Sequence, residues 1–348
     1  KPLYKKKLSN GIDFGITPFP IGGYVKLYDE REEKLTDSEL PKSFNRQPAI
    51  KRILILLAGP VINLILAFLL FFIMYLVGKS VVLPIVGEVA PFSIASQAGL
   101  SQGDQLLSVD DWETPDWHLA AMAIVAHSGN SAPIQLKIRN SSGELSLVSL
   151  QVEQWRYNGI EKNLLEGLGI VINQPLQKSV IKLSLLKAIK VSAYRLWQYI
   201  ALNCVVVGKI LSGKISVAAL SGPLTFFDSA QSVLRLGMDK FLYFIALLSI
   251  AVGIANLLPL PTLDGGHIMY VLIEIVRGKA VSTEMQVLMY RFMLAAFFVL
   301  FMNLLANDLR RLGEKYHPAS NSTSAQILKT TESDSVGSAD KKPEAAGK

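Results

Sequence analysis

From Ile53 to Val77 the chain carries no charged residue. As a helix at about 1.5 Å per residue such a run reaches roughly 37 Å, enough to cross a hydrocarbon core of about 30 Å with some tilt. Gly59, Pro60 and Asn63 interrupt it, and small or polar residues inside lipid tend to face other helices. Two further runs follow. Phe241 to Leu263 is uncharged and stops abruptly at Asp264-Gly265-Gly266, and Gln286 to Asn307 is broken only by Arg291. Composition agrees, with 50% hydrophobic and 18% charged residues against about a quarter charged in soluble domains. The net charge of +7 comes largely from basic residues near these runs, which suits a membrane protein better than a nucleic-acid binder. One cysteine, Cys204, leaves no internal disulfide framework.

Between the runs the texture changes. Residues 1–52 are polar and basic and read as cytoplasmic, with Pro18 to Leu27 as a turn entering a short β-element. Residues 82–173 show alternating stretches bounded by turns, such as Ile134–Ile138 and Leu145–Leu150, and read as a small α+β domain. Residues 178–240 read as helical, basic and amphipathic, with Lys182, Lys187, Lys190, Arg195, Lys209 and Lys214 among leucines, isoleucines and valines. The longest uncharged stretch there is too short to span a bilayer, so a helix lying at the membrane surface is the expectation. Residues 313–348 are rich in serine, threonine, lysine and alanine and are expected to be disordered. Lys51 and Arg52 place residues 1–52 inside and the α+β block outside. Arg277, Lys279 and Arg291 mark a second cytoplasmic stretch, while Arg310, Arg311 and Lys315 fall outside, against the charge rule.

The stretch Asn256 to Gly266 concentrates the chemistry. Asp264 ends an apolar segment, where an ionisable group is costly and is by default a functional hypothesis. Pro259 and Pro261 cannot continue a regular helix and free backbone groups that protein or water must satisfy. Asn256, a broken helix and a carboxylate together make a polar site within the membrane. The plainer alternative is a kinked helix end in which Asp264 is an ordinary N-cap and Gly265-Gly266 permits close packing.

The pattern N-x-x-P-x-P-x-L-D-G-G, met at Asn256, Pro259, Pro261, Leu263, Asp264, Gly265 and Gly266, resembles a signature of the site-2 protease family of intramembrane zinc metalloproteases. The likeness covers roughly residues 1–312 and takes in Pro20 to Lys26, Ala58 to Asn63 and Leu220 to Pro223. It also takes in the 82–173 block, whose Ala98–Asp104 run resembles a PDZ domain. The implied fold is a polytopic α-helical membrane protein with an inserted external PDZ domain. A cytoplasmic segment has a membrane re-entrant β-loop near 12–28, and spans lie at 53–77, 241–276 and 286–307. By the same resemblance Asp264 is a ligand of a catalytic Zn2+ and Asn256 a catalytic residue holding the substrate backbone. Pro20, Gly22, Gly23, Tyr24, Asn63, Pro259 and Pro261 bind substrate. Gly167, Leu168, Gly169 and Ile170 form the peptide-binding strand of the PDZ domain.

The resemblance further implies a bacterial inner-membrane enzyme with its PDZ domain in the periplasm. Its partners are the lipid bilayer and transmembrane protein or peptide substrates, such as anti-sigma factors already cut outside and remnant signal peptides.

One family element is absent. No H-E-x-x-H occurs; His118 and His127 belong to the α+β block, His317 to the tail, and His267 follows Asp264 by three residues. The expectation is that the helix bearing that motif lies upstream of Lys1, and that activity depends on it. The alternative function is a catalytically inactive membrane-anchored PDZ scaffold that binds the C-termini of external proteins. A transporter has little support, since no internal repeat pairs two broken helices.

Overall fold

The computed structural model describes residues 4–7, 13–16, 28–30, 36, 37, 39–153, 155, 157, 165–172, 177–220 and 222–316. Strands β1 (Tyr4–Lys7) and β2 (Asp13–Ile16) form an antiparallel hairpin with Tyr4 opposite Ile16. Pro20, Gly22, Gly23 and Tyr24 lie outside the described residues.

Helix α1 runs from Ala49 to Val77, starting directly after Pro48, whose fixed φ suits a helix entrance. Inside it Pro60 has no N–H to give the Leu56 carbonyl. At its exit Gly78, at φ 122°, turns the chain into β3 (Lys79–Val82). The α+β domain follows: β4 (Glu88–Val89), α2 (Ile94–Gln97), β5 (Gln105–Val109), β6 (Trp112–Glu113), α3 (Trp117–Val125), β7 (Ile134–Arg139), β8 (Leu145–Leu150) and β9 (Ile170–Val171). Its main sheet has the order β6-β5-β7-β8, antiparallel throughout, and β4 pairs with β9. Alternation places Ile134, Leu136 and Ile138 of β7 in the core and Gln135, Lys137 and Arg139 in solvent. The inner face packs on Leu119, Ala120, Ala123 and Ile124 of α3.

Strand β10 (Lys178–Ile181) returns to pair antiparallel with β3, so the domain hangs from a ribbon made of its own entrance and exit. This corrects the expectation of helix from Lys178 onward: the helix α4 begins at Leu185 and ends at Leu211. α4 is not a helix with one free polar face. Ala188, Tyr199 and Leu202 are buried, and Lys209, expected among exposed basic residues, is buried as well. Its Nζ donates to the Ser128 carbonyl at 2.8 Å and to Asn130 Oδ1, acceptors that make burial of the charge tolerable. The outward face of α4 does carry large apolar side chains, Leu186 and Trp197 among them.

Helix α5 (Pro223–Arg235) leads into α6 (Met238–Asn256). A short broken segment then reaches α7 (Asp264–Arg277), and α8 (Thr283–Tyr316) closes the described chain. α8 therefore continues past residue 313, where disorder was expected; residues 317–348 lie outside the described residues. Among the described residues three helices are long and apolar enough to cross a membrane: α1, α6 and Thr283–Arg310 of α8. α6 packs along α1 through Ala246, Ser249, Ile250, Gly253 and Ile254, spaced three and four apart on one face. That face meets Ala67, Phe71 and Tyr75 of α1 in one core cluster.

Candidate active site

The site grows from the way α6 ends. After Asn256 the chain makes two tight turns, with Leu257 N–H donating to the Ile254 carbonyl at 3.0 Å and Leu258 N–H to that of Ala255 at 3.0 Å. Pro259 and Pro261 then prevent helix, and Leu260 and Leu263 close local turns. The folded-back carbonyls lie against the first turn of α7. A Cβ on Gly265 would stand 2.4 Å from the Leu257 and Leu258 oxygens, and one on Gly266 2.0 Å from the Leu260 oxygen. Only glycine fits at either place.

Asp264 is the first residue of α7 and is half-buried. Its carboxylate faces α1: a Cβ on Gly59 would lie 3.1 Å from Asp264 Oδ2. One turn further along α1, the Asn63 Cβ and the Pro60 carbonyl lie 3.4 and 3.3 Å from where a Cβ on Gly253 of α6 would be. Gly253 precedes the half-buried Asn256 by three residues. Gly253 thus lets α6 approach α1 closely, and Gly59 lets the Asp264 side chain reach α1. Asn63 lies beside the α1–α6 contact at Gly253, Asn256 one turn beyond it, Pro259 and Pro261 in the turn that leads to α7, and Asp264 against α1 at Gly59.

The remaining assigned residues lie elsewhere. Gly167 and Leu168 are in a 3-10 turn and Gly169 is left-handed at φ 82°, so strand begins only at Ile170. This corrects the reading of the four as one strand: the left-handed turn bends the backbone before it can pair with β4. His267 is exposed, with its ring 6.1 Å from that of Tyr270.

Sequence reasoning missed three contributors. Arg52 entered it only as a topology marker, yet it is buried and grips Glu274 of α7 with both terminal nitrogens, at 2.9 and 2.7 Å. Gly253 had no visible role before its contact with α1 was seen. Asp308 of α8 accepts from the N–H groups of Gly222, Leu224 and Thr225 and from the Thr225 hydroxyl. A charge at the very edge of an apolar run was the available signal for Arg52 and Asp308.

A catalytic zinc site takes three protein ligands and leaves a position open. Among the described residues no group of three His, Cys, Asp or Glu side chains could hold a metal. Asp264 fits as one such ligand: it is an oxygen donor packed close against Gly59 of α1, and among the described residues no hydrogen bond or ion pair occupies it. The rest of a ligand set is not supplied by these residues.

A family model described as Peptidase family M50 matches residues 1–300. A protein named Regulator of sigma E protease from Haemophilus influenzae is 26% identical over 400 residues, with 90% of each chain covered. Regulator of sigma-E protease RseP from Escherichia coli is 27% identical over 406 residues at the same coverage. A protein from Vibrio cholerae named Putative zinc metalloprotease is 27% identical over 411 residues, again with 90% of each covered.

Proposed function

Because the chain belongs to peptidase family M50, the site-2 protease family, we propose that it is an intramembrane zinc endopeptidase in which Asp264 is one of the metal ligands. The observation that carries this reading is the Asp264 carboxylate at the head of α7, without a partner among the described residues and held by a proline-broken turn against Gly59. No H-E-x-x-H occurs in residues 1–348, so Asp264 is the one ligand of the set that these residues are read to supply. The chemistry a zinc ion would supply beside Asp264 is a water of lowered pKa and a polarised carbonyl.

The chain's own residues supply position. Asn256 offers an amide that can both donate to and accept from a substrate backbone. The turns at 257–263 keep Asp264 at membrane depth, since a continuous helix would carry it elsewhere. Asn63 at the α1–α6 contact and Pro259 and Pro261 in the turn to α7, together with Pro20, Gly22, Gly23 and Tyr24, are the proposed substrate contacts. A strand edge in that last group would hold a transmembrane peptide extended, exposing its peptide bond. Substrates of this chemistry are single spans already trimmed outside, such as a cut anti-sigma factor or a remnant signal peptide.

The α+β domain is read as a periplasmic PDZ domain that filters or tethers substrates. Its support is the Ala98–Asp104 run leaving α2 and the antiparallel sheet packed on α3. Bacterial inner-membrane placement rests on the relatives' names and the three apolar helices. Asp308 ties the end of α8 to the start of α5, which supports the same outer side for both.

Asp264→Asn in the full-length protein tests the site. The expected result is loss of cleavage of a transmembrane substrate and a drop in bound zinc, with unfolding unchanged. Full cleavage with full zinc content overturns it. Retained binding of C-terminal peptides in a protein that never cleaves would instead favour the scaffold.

A further inference from the structure

α7 carries Asp264 at its head and is held tightly at its first turn, while one face of its later turns is open. Leu272, Ile275 and Val276 face outward, exposed. Gly265 and Gly266 seat its first turn, and the Tyr270 hydroxyl lies 3.8 Å from the Met289 sulfur of α8. Against α1, however, α7 has a second anchor. Arg52 and Gly59 are one heptad apart and so lie about 20° apart on the same face of α1. On α7, Val271 follows Asp264 by one heptad and Glu274 comes three residues later, so these also share a face. Val271 is buried, and Arg52 and Glu274 meet in a two-pronged ion pair.

Such a fork fixes direction as well as distance, because both guanidinium nitrogens must meet both carboxylate oxygens. Among the described residues Arg52 Nε has no partner, so the buried cation is committed to Glu274. We propose that the Arg52–Glu274 pair is the positioning element that sets the rotation of α7 and so aims the Asp264 carboxylate at Gly59 of α1. These are positioning residues, remote from the reacting atoms. The catalytic consequence rests on the proposed role of Asp264; the rotation itself does not.

The test uses four variants of the full chain: Arg52→Glu, Glu274→Arg, the swapped pair, and Arg52→Met with Glu274→Met. The Met pair leaves no buried unpaired charge, so it keeps the fold when the single reversals do not. Each is spin-labelled at cysteines replacing the exposed Leu54 and Leu272 in a Cys204→Ser background. Distance distributions are measured on metal-free protein, and cleavage of a transmembrane substrate separately. The Met pair is expected to broaden or shift the distribution and to cut cleavage by roughly 10- to 100-fold, without loss of folded protein. The swap is expected to restore both. A Met pair with the parental distribution and cleavage overturns the proposal, as does a folded swap that restores neither. Normal cleavage by Asp264→Asn would remove the metal-ligand reading while leaving the distance result intact.

Discussion

Gly59 and Gly266 answer opposite questions about the same site. At Gly266 an added methyl would meet the Leu260 backbone oxygen at 2.0 Å, and a carbonyl held in a proline-bounded turn cannot swing aside as a side chain can. Gly266→Ala is therefore expected to cost about 1–3 kcal/mol of stability and to abolish cleavage, as thermal unfolding in detergent and a substrate assay would show together. At Gly59 the nearest atom is instead Asp264 Oδ2 at 3.1 Å, with no backbone crowding. Alanine within a helix is favoured over glycine by about 0.5–1 kcal/mol. Gly59→Ala is thus expected to keep or raise the unfolding temperature while lowering zinc content and cleavage, because the methyl fills the space a ligand would need. Lowered stability with intact cleavage would show that Gly59 serves packing alone.

At the scale of elements, α5 is held by a residue from the far end of the chain. Gly222 N–H, Leu224 N–H and Thr225 N–H, three of the donors a helix start leaves open, end on the Asp308 carboxylate at 3.2, 2.9 and 3.0 Å. Asp308 is 0% exposed, so Asp308→Ala strands those donors away from water and is expected to cost roughly 2–4 kcal/mol. Hydrogen exchange should quicken at the first turn of α5 and the last of α8; unchanged protection there would show the cap to be dispensable. The same comparison explains what was readable beforehand. The three apolar helices and the break at Pro259 to Gly266 were legible because length, missing charge and proline act locally. β10 was not, since Lys178–Ile181 becomes a strand only through β3, far away in sequence. Lys209 looked like a surface lysine because its acceptors, Ser128 and Asn130, belong to another element. Asp264 was legible as a costly charge, but the glycine it faces and the Arg52–Glu274 fork depend on helix pairing that no local pattern encodes.

At the scale of the molecule, the question is what fixes the α+β domain to the helices. Lys79, just past α1, donates to Asp116 Oδ2 at 3.2 Å and sits 4.0 Å from the centre of the Tyr243 ring of α6. Asp116 also caps α3 through Leu119 N–H at 3.0 Å. Glu113 reaches Arg195 of α4 at 3.2 Å, and Lys240 donates to the Ser80 carbonyl at 2.8 Å. Between these lies the His118 ring, 5.7 Å from that of Tyr199 and 5.9 Å from that of Tyr243. His118 keeps an exposed face, yet the protein atoms crowded around its ring push its pKa below the ordinary histidine value, with Asp116 opposing the effect and the Lys79 charge adding to it. Asp116 itself stays below the ordinary carboxylate value: burial works to raise it, but Lys79 and the Leu119 N–H outweigh that. The signs separate two windows. Below about pH 6.5 an unfolded or undocked His118 takes up a proton that the docked one holds less readily, so docking weakens as pH falls toward the lowered pKa, by an amount that solvent at the exposed face reduces. The stability contributed by Asp116 is lost only further down, as pH falls through its own lowered value. Acidification from pH 7 to pH 5 is therefore expected to speed hydrogen exchange where α3 meets α4, after correction for intrinsic rates. His118→Gln, which cannot gain a charge, should flatten that dependence while Asp116→Asn should not. An acid response of the same size in His118→Gln would overturn the assignment of His118 as the sensor.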